Sequence, residues 1–88
     1  MTWSVEWDER ARKELRRLDP AVQRQILGYL RQRIARPDDP RQFGRPFSGG
    51  RRGLWRYRVG AYRLVCQIEE DRLVVLVLVV GHRKEAYD

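Results

Sequence analysis

Gly53-Leu54-Trp55-Arg56-Tyr57-Arg58-Val59-Gly60-Ala61-Tyr62-Arg63-Leu64-Val65-Cys66 is the stretch on which the reading of this chain turns. Gly60-Ala61 has the length of a two-residue hairpin loop, with glycine at the first central position, where a type II′ turn requires positive φ. That turn fixes the register of both arms. Val59 falls opposite Tyr62, Arg58 opposite Arg63, Tyr57 opposite Leu64, Arg56 opposite Val65 and Trp55 opposite Cys66. The two faces then differ in kind: Trp55, Tyr57, Val59, Leu64 and Cys66 make an apolar side, and Arg56, Arg58 and Arg63 point the other way. Like charges directly opposed across strands destabilise a sheet by about 0.2–1 kcal/mol. An anion between them is therefore expected.

Downstream, the acidic group Glu69-Glu70-Asp71 separates this hairpin from Leu73–Val80, which is apolar on both faces, as a central strand is. Leu54–Val59, Tyr62–Ile68 and Leu73–Val80 thus read as an antiparallel meander. Strict alternation places Val74, Leu76 and Leu78 on the arginine side, a patch for a protein partner or for loop 41–53 to cover. It also puts His82, not Arg83, on that side, although a bulge at Gly81 would re-aim either.

Upstream, Trp3, Val5 and Trp7 alternate with polar residues as in a half-buried strand. Asp8 caps a helix running through Leu18, with Glu9 one turn from Lys13 and with Ala11, Leu15 and Leu18 along one side. Asp19-Pro20 starts a second helix, whose stripe is Val22, Ile26, Leu27, Leu30 and Ile34 and which ends near Arg36 before Pro37. From Arg41 to Gly53 the chain is rich in Gly, Pro and Arg and is expected to be a loop holding a short edge strand around Phe47. The order predicts an α+β fold in one domain, residues 1–88. An N-terminal strand and an α-helical hairpin precede the meander, and the helices pack on one face of an antiparallel sheet.

Composition narrows the function. Of 88 residues, 42% are hydrophobic and 10% aromatic, too apolar for a disordered chain. No segment approaches the length of a membrane span, and charge enters the N-terminus too early for a secretory signal. Cys66 is the single cysteine, so no internal disulfide exists. A soluble, cytoplasmic protein is expected. The formal net charge is +7, and all the basic residues except Lys13 and Lys84 are arginines. An anionic partner is implied, nucleic acid or acidic protein. The blander reading is a solvated arginine face, a product of genome composition, paired with Glu69 or Glu70.

One Cys and one His are too few for a zinc site, and the carboxylates do not cluster near the arginines, so no metal and no cofactor are expected. Arginine is too basic to accept a proton. Arg56, Arg58, Arg63 and Arg83 would hold substrate and stabilise charge, leaving His82 or Tyr87 for proton transfer. RNA suits such a site because it carries its own nucleophile, the 2′-hydroxyl.

The path Lys13-Glu14-Leu15-Arg16-Arg17-Leu18-Asp19, then Asp39 to Gly49, the hairpin Arg56-Tyr57-Arg58-Val59-Gly60-Ala61-Tyr62-Arg63, and finally Val80-Gly81-His82-Arg83 with Tyr87, resembles the RelE/ParE toxin superfamily. The resemblance covers nearly the whole chain. It implies the toxin of a type II toxin–antitoxin pair, either a ribosome-dependent endoribonuclease cutting mRNA or, as in ParE members, an inhibitor of DNA gyrase. An inert relic that only binds its antitoxin is a third possibility. Matched motif to motif, the RelE-type site falls on Arg56 and Arg58 for substrate binding and on Arg63, Arg83 and Tyr87 for catalysis, with His82 retained because related nucleases use a late histidine. Some RelE-type proteins have lysine where Arg56 and Arg58 stand, which weakens any proton-transfer role there. The implied partners are mRNA on the ribosome and an acidic, partly disordered antitoxin, with no membrane.

Overall fold

The computed structural model describes residues 1–47 and 53–83. The chain begins with strand β1 (Ser4–Trp7), followed by helices α1 (Glu9–Arg16) and α2 (Pro20–Tyr29). Both helices start as their sequence dictates. The Asp8 carboxylate accepts from the Arg10 N–H at 3.2 Å, and the Asp19 carboxylate accepts from Ala21 N–H at 3.0 Å, with Pro20 in the first turn. α1 stops at Arg16, two residues short of Leu18. α2 widens at Leu30–Ile34 into a π turn closed by Ala35 N–H on the Leu30 carbonyl at 2.8 Å.

Strands β2 (Arg45–Pro46), β3 (Leu54–Val59), β4 (Tyr62–Glu69) and β5 (Val74–His82) complete a five-stranded sheet of order β1-β5-β4-β3-β2. β3, β4 and β5 form the antiparallel meander, and β2 is the short edge strand, extended by Phe47 N–H on the Leu54 carbonyl at 2.9 Å. One pairing departs from expectation: β1 runs parallel to β5, with Ser4 opposite Val74 and Trp7 opposite Val77. A parallel neighbour cannot be reached by a tight turn, and the long connection here carries the helical hairpin and strands β2 to β4 before β5 returns beside β1. β5 is thereby an interior strand, which accounts for its unbroken apolar run.

The helices cover one face. Ala11, Leu15, Ile26, Leu30 and Ile34 bury against Tyr57, Val59, Leu64, Cys66, Val75, Val77 and Val80. Each large aliphatic so buried contributes roughly 1.5–3 kcal/mol. Leu27 does not join them and is 42% exposed, because the stripe Val22, Ile26, Leu30 and Ile34 recurs every four residues and Leu27 projects a quarter turn away. The ion pair on α1 is Arg10–Glu14 at 3.5 Å rather than Glu9–Lys13. Glu14 is held there because its Oε1 accepts the Val80 amide at 2.9 Å, beyond the point where β1 ends.

Candidate nucleic-acid interface

The face of the sheet turned away from the helices carries the arginines. Gly60 has φ +58°, and Leu73 is the sole non-glycine with positive φ among the described residues, so Gly60-Ala61 meets the type II′ requirement. Arg58 then pairs with Arg63, Arg56 with Val65, and Tyr57 with Leu64, the register read from the sequence. Tyr57 and Leu64 are almost wholly buried, which sends Arg56, Arg58 and Arg63 to the opposite face.

Sequence reasoning missed Arg45. It lies directly opposite Arg56 across β2 and β3, so Arg45, Arg56, Arg58 and Arg63 stand on one face in two adjoining cross-strand rows. The loop composition around Arg45 has no alternation to mark its side, and the one available signal was its two-residue distance from the expected edge strand at Phe47.

The late residues are rearranged by a bulge. Cys66 pairs with Val77 but Val65 pairs with Val79, leaving Leu78 as the extra residue. From there the phase of β5 reverses relative to strict alternation. Gly81 falls opposite Arg63, and His82 falls opposite Tyr62, with the two rings edge to face at 5.6 Å. His82 therefore lies on the helix side of the sheet, not with the arginines, which corrects its expected placement. Arg83 extends the ladder through its N–H on the Ala61 carbonyl at 2.8 Å, is exposed, and by the two-residue period follows Gly81 onto the arginine face. Tyr87 lies outside the described residues.

The two carboxylates expected to pair with this face are engaged elsewhere. Glu69 is bound by Arg72 at 2.7 Å and Glu70 by Arg41 at 3.4 Å, so neither neutralises the arginine rows. Arg72 also reaches Glu6 at 3.0 Å, tying the two strands that flank β5. No carboxylate of the described residues lies within ion-pair distance of Arg58, Arg63 or Arg83. Arg63 is steadied by its own turn, its Nη1 donating to the carbonyls of Gly60 at 3.2 Å and Tyr62 at 3.0 Å. Beside the arginines, Leu76, Leu78 and Val79 are half-buried on or next to the outer face, while Val74 is buried. The arrangement can grip a polyanion and set an apolar patch against a second partner.

Burial removes the other titratable candidates. Cys66 is completely buried, and desolvation pushes its thiol far up from 9.0. Burial likewise raises Tyr57, whose hydroxyl donates to the Pro40 carbonyl at 2.9 Å, and Tyr29, whose hydroxyl donates to the Phe43 carbonyl at 3.4 Å. Tyr57 thereby fastens the 3₁₀ turn Pro40–Phe43 to the sheet, and Tyr29 fastens it to the end of α2. Among the described residues, no His, Cys, Asp and Glu gather in a metal-binding group, and no helix is long and apolar enough to cross a membrane.

The comparisons agree with this geometry. The chain is 28% identical over 87 residues to Toxin RelG of Mycobacterium tuberculosis, covering 99% of this chain and 98% of that protein. It is 30% identical over 91 residues to a putative RelE-like toxin protein of Escherichia coli, covering 98% and 88%. Its fold matches the toxin–antitoxin complex RelBE2 of M. tuberculosis with a TM-score of 0.83 at 26% identity, over 97% of this chain and 95% of that one. The model of the ParE toxin of type II toxin–antitoxin systems matches residues 5–87. A helical hairpin on one face of the sheet, arginine rows on the other and these matches lead to one assignment: this chain is a type II toxin of the ParE toxin family, within the RelE/ParE superfamily.

Proposed function

We propose that this toxin is a metal-independent endoribonuclease that cuts mRNA on the ribosome, acts in the cytoplasm, and is neutralised by an acidic, partly disordered antitoxin. The observation that carries the reading is the direct opposition of Arg58 and Arg63 with no carboxylate partner among the described residues. A phosphodiester bridging the two guanidinium groups turns their repulsion into binding, with little side-chain freedom left to lose at Arg63.

In the reaction the substrate's 2′-oxygen attacks the adjacent phosphorus and the 5′-oxygen leaves. The 2′-hydroxyl proton passes to a base, and an acid protonates the departing oxygen. Negative charge grows on the non-bridging oxygens, where Arg58, Arg63 and Arg83 stabilise it; a well-placed donor of this kind is worth about 10²–10³ in rate. Arg56, beside Arg45, holds the neighbouring backbone. Proton transfer is assigned to Tyr87, the near-terminal tyrosine of the resemblance, because the His82 ring lies against Tyr62 on the other face.

The second reading is gyrase inhibition, favoured by the match to the ParE model. Adding purified protein to a translating extract and, separately, to a gyrase supercoiling reaction decides between them. Fragmented mRNA with normal supercoiling is expected. Intact mRNA with blocked supercoiling would reverse the assignment, and inertness in both would leave an antitoxin-binding relic.

A further inference from the structure

A second basic feature lies around the edge of the hairpin from the arginine rows. β2 pairs only with Trp55 and Arg56, so among the described residues Arg58, Val59 and Gly60 have no neighbouring strand on that edge, which lies beside α2 and its π turn. Between them runs an open groove of about 470 Å³, whose lining includes Arg24, Arg31, Arg33 and Arg58 together with Gly28. Among the described residues, no acidic one lines it. None of the four arginines has a carboxylate partner among the described residues.

The groove has features of a built site. Arg24 and Gly28 lie four residues apart on one side of α2, and Arg31, in the π turn that follows, lies against Gly28. Arg33 is steadied over the Phe43 ring, 5.4 Å from its centroid. Glycine inside a helix costs about 1 kcal/mol relative to alanine, yet Gly28 has no steric need to be glycine: a Cβ there would meet only Arg31 Nη2, at 3.9 Å. What Gly28 does provide is open space among these cations. The lining is polar, unlike the patch at Leu76, Leu78 and Val79, so the groove suits a charged backbone better than an apolar segment.

We propose that this groove binds a second stretch of RNA sugar–phosphate backbone, continuous with the cleavage face through Arg58. The inference rests on RNA being the ligand of that face. The groove fixes strand direction and register, and a phosphate passing Arg58 is shared between the two surfaces.

Binding, separated from cleavage, tests it. A fluorescent single-stranded RNA oligonucleotide with 2′-O-methyl riboses cannot be cut, and its affinity is read over a range of salt, beside a base-paired RNA hairpin. The triple variant Arg24→Gln/Arg31→Gln/Arg33→Gln is expected to reduce the slope of log affinity against log salt by about 2, and to weaken binding about tenfold or more. Gly28→Glu, which improves helix propensity while placing a carboxylate in the groove, is expected to weaken it in the same direction. The stronger response of one probe tells whether the groove takes substrate strand or folded RNA. An equal loss in the charge-matched variant Arg12→Gln/Arg16→Gln/Arg17→Gln, on α1 and its C-cap, would reduce the effect to bulk charge and overturn the proposal. Unchanged binding in both groove variants beside lost cleavage in Arg63→Ala would overturn the groove alone. Groove-dependent binding by a protein that leaves mRNA intact would support the groove and remove the nuclease assignment, whereas a wild-type chain without RNA affinity would overturn both.

Discussion

Gly44 lies so close beneath the ring of Tyr57 that a Cβ on it would come within 2.7 Å of Cε1 and 3.0 Å of the Arg56 carbonyl oxygen. Tyr57 cannot withdraw, since its hydroxyl is tied to the Pro40 carbonyl and its ring packs edge-on against Tyr29 at 6.4 Å. Gly44→Ala is therefore expected to lower stability by about 1–3 kcal/mol, the cost of overpacking. A urea midpoint equal to that of the wild type would contradict it. Because this turn leads into β2, the variant is also expected to loosen Arg45 before Arg58.

Arg58 and Arg63 predict a trade of stability against activity. Arg58→Thr removes the like-charge pair and keeps a good strand former, so it is expected to stabilise the protein by about 0.2–1 kcal/mol at low salt, with the gain shrinking as salt rises. Its mRNA cleavage is expected to fall by about 10²-fold or more. Thermal melts at two salt concentrations beside a cleavage assay check both. A variant less stable and fully active would refute the pairing argument.

The bulge at Leu78 makes opposite forecasts for Arg83 and His82, and Tyr87 shares the forecast for Arg83 through the role proposed for it. Arg83→Ala and Tyr87→Phe are each expected to reduce cleavage about 10²-fold or more, and His82→Gln to stay within a few-fold of the wild type. Mapping mRNA 5′ ends after induction measures this. Full loss with His82→Gln alone would return proton transfer to the histidine.

Alkaline pH is expected to unfold this protein through two buried groups. Cys66 and Tyr57 keep their protons in the folded state well above their ordinary values of 9.0 and 10.0. The unfolded chain loses those protons first. Stability is thus whole below about pH 9 and falls as pH rises, by up to about 1.4 kcal/mol per pH unit for each group. Cys66→Val is expected to flatten the first part of the decline. Urea midpoints on either side of pH 9 test it, and an unchanged slope in the variant would exclude Cys66 as its source.

Much of this was readable in the chain, for local reasons. A two-residue turn with glycine at its first position dictates a register residue by residue, and the pairing of Arg58 with Arg63 followed from it. Asp8 and Asp19-Pro20 marked the helix starts because their chemistry acts within one turn. The bulge at Leu78 left no trace: Leu73–Val80 is apolar throughout, and an inserted residue in such a run shifts the phase without changing the pattern. His82 was misplaced for that reason. The parallel course of β1 was equally hidden, since alternation in Trp3, Val5 and Trp7 gives a face but neither a neighbour nor a direction. The α2 groove belongs to no segment, although Arg24 and Gly28 already shared a helix face.

The pairing of β1 with β5 joins nearly the first residues to nearly the last. During synthesis β1 waits without its neighbour, and α1, which packs on β5, cannot settle until β5 has left the exit tunnel. A nascent copy is thus kept from its working shape until the whole meander has emerged.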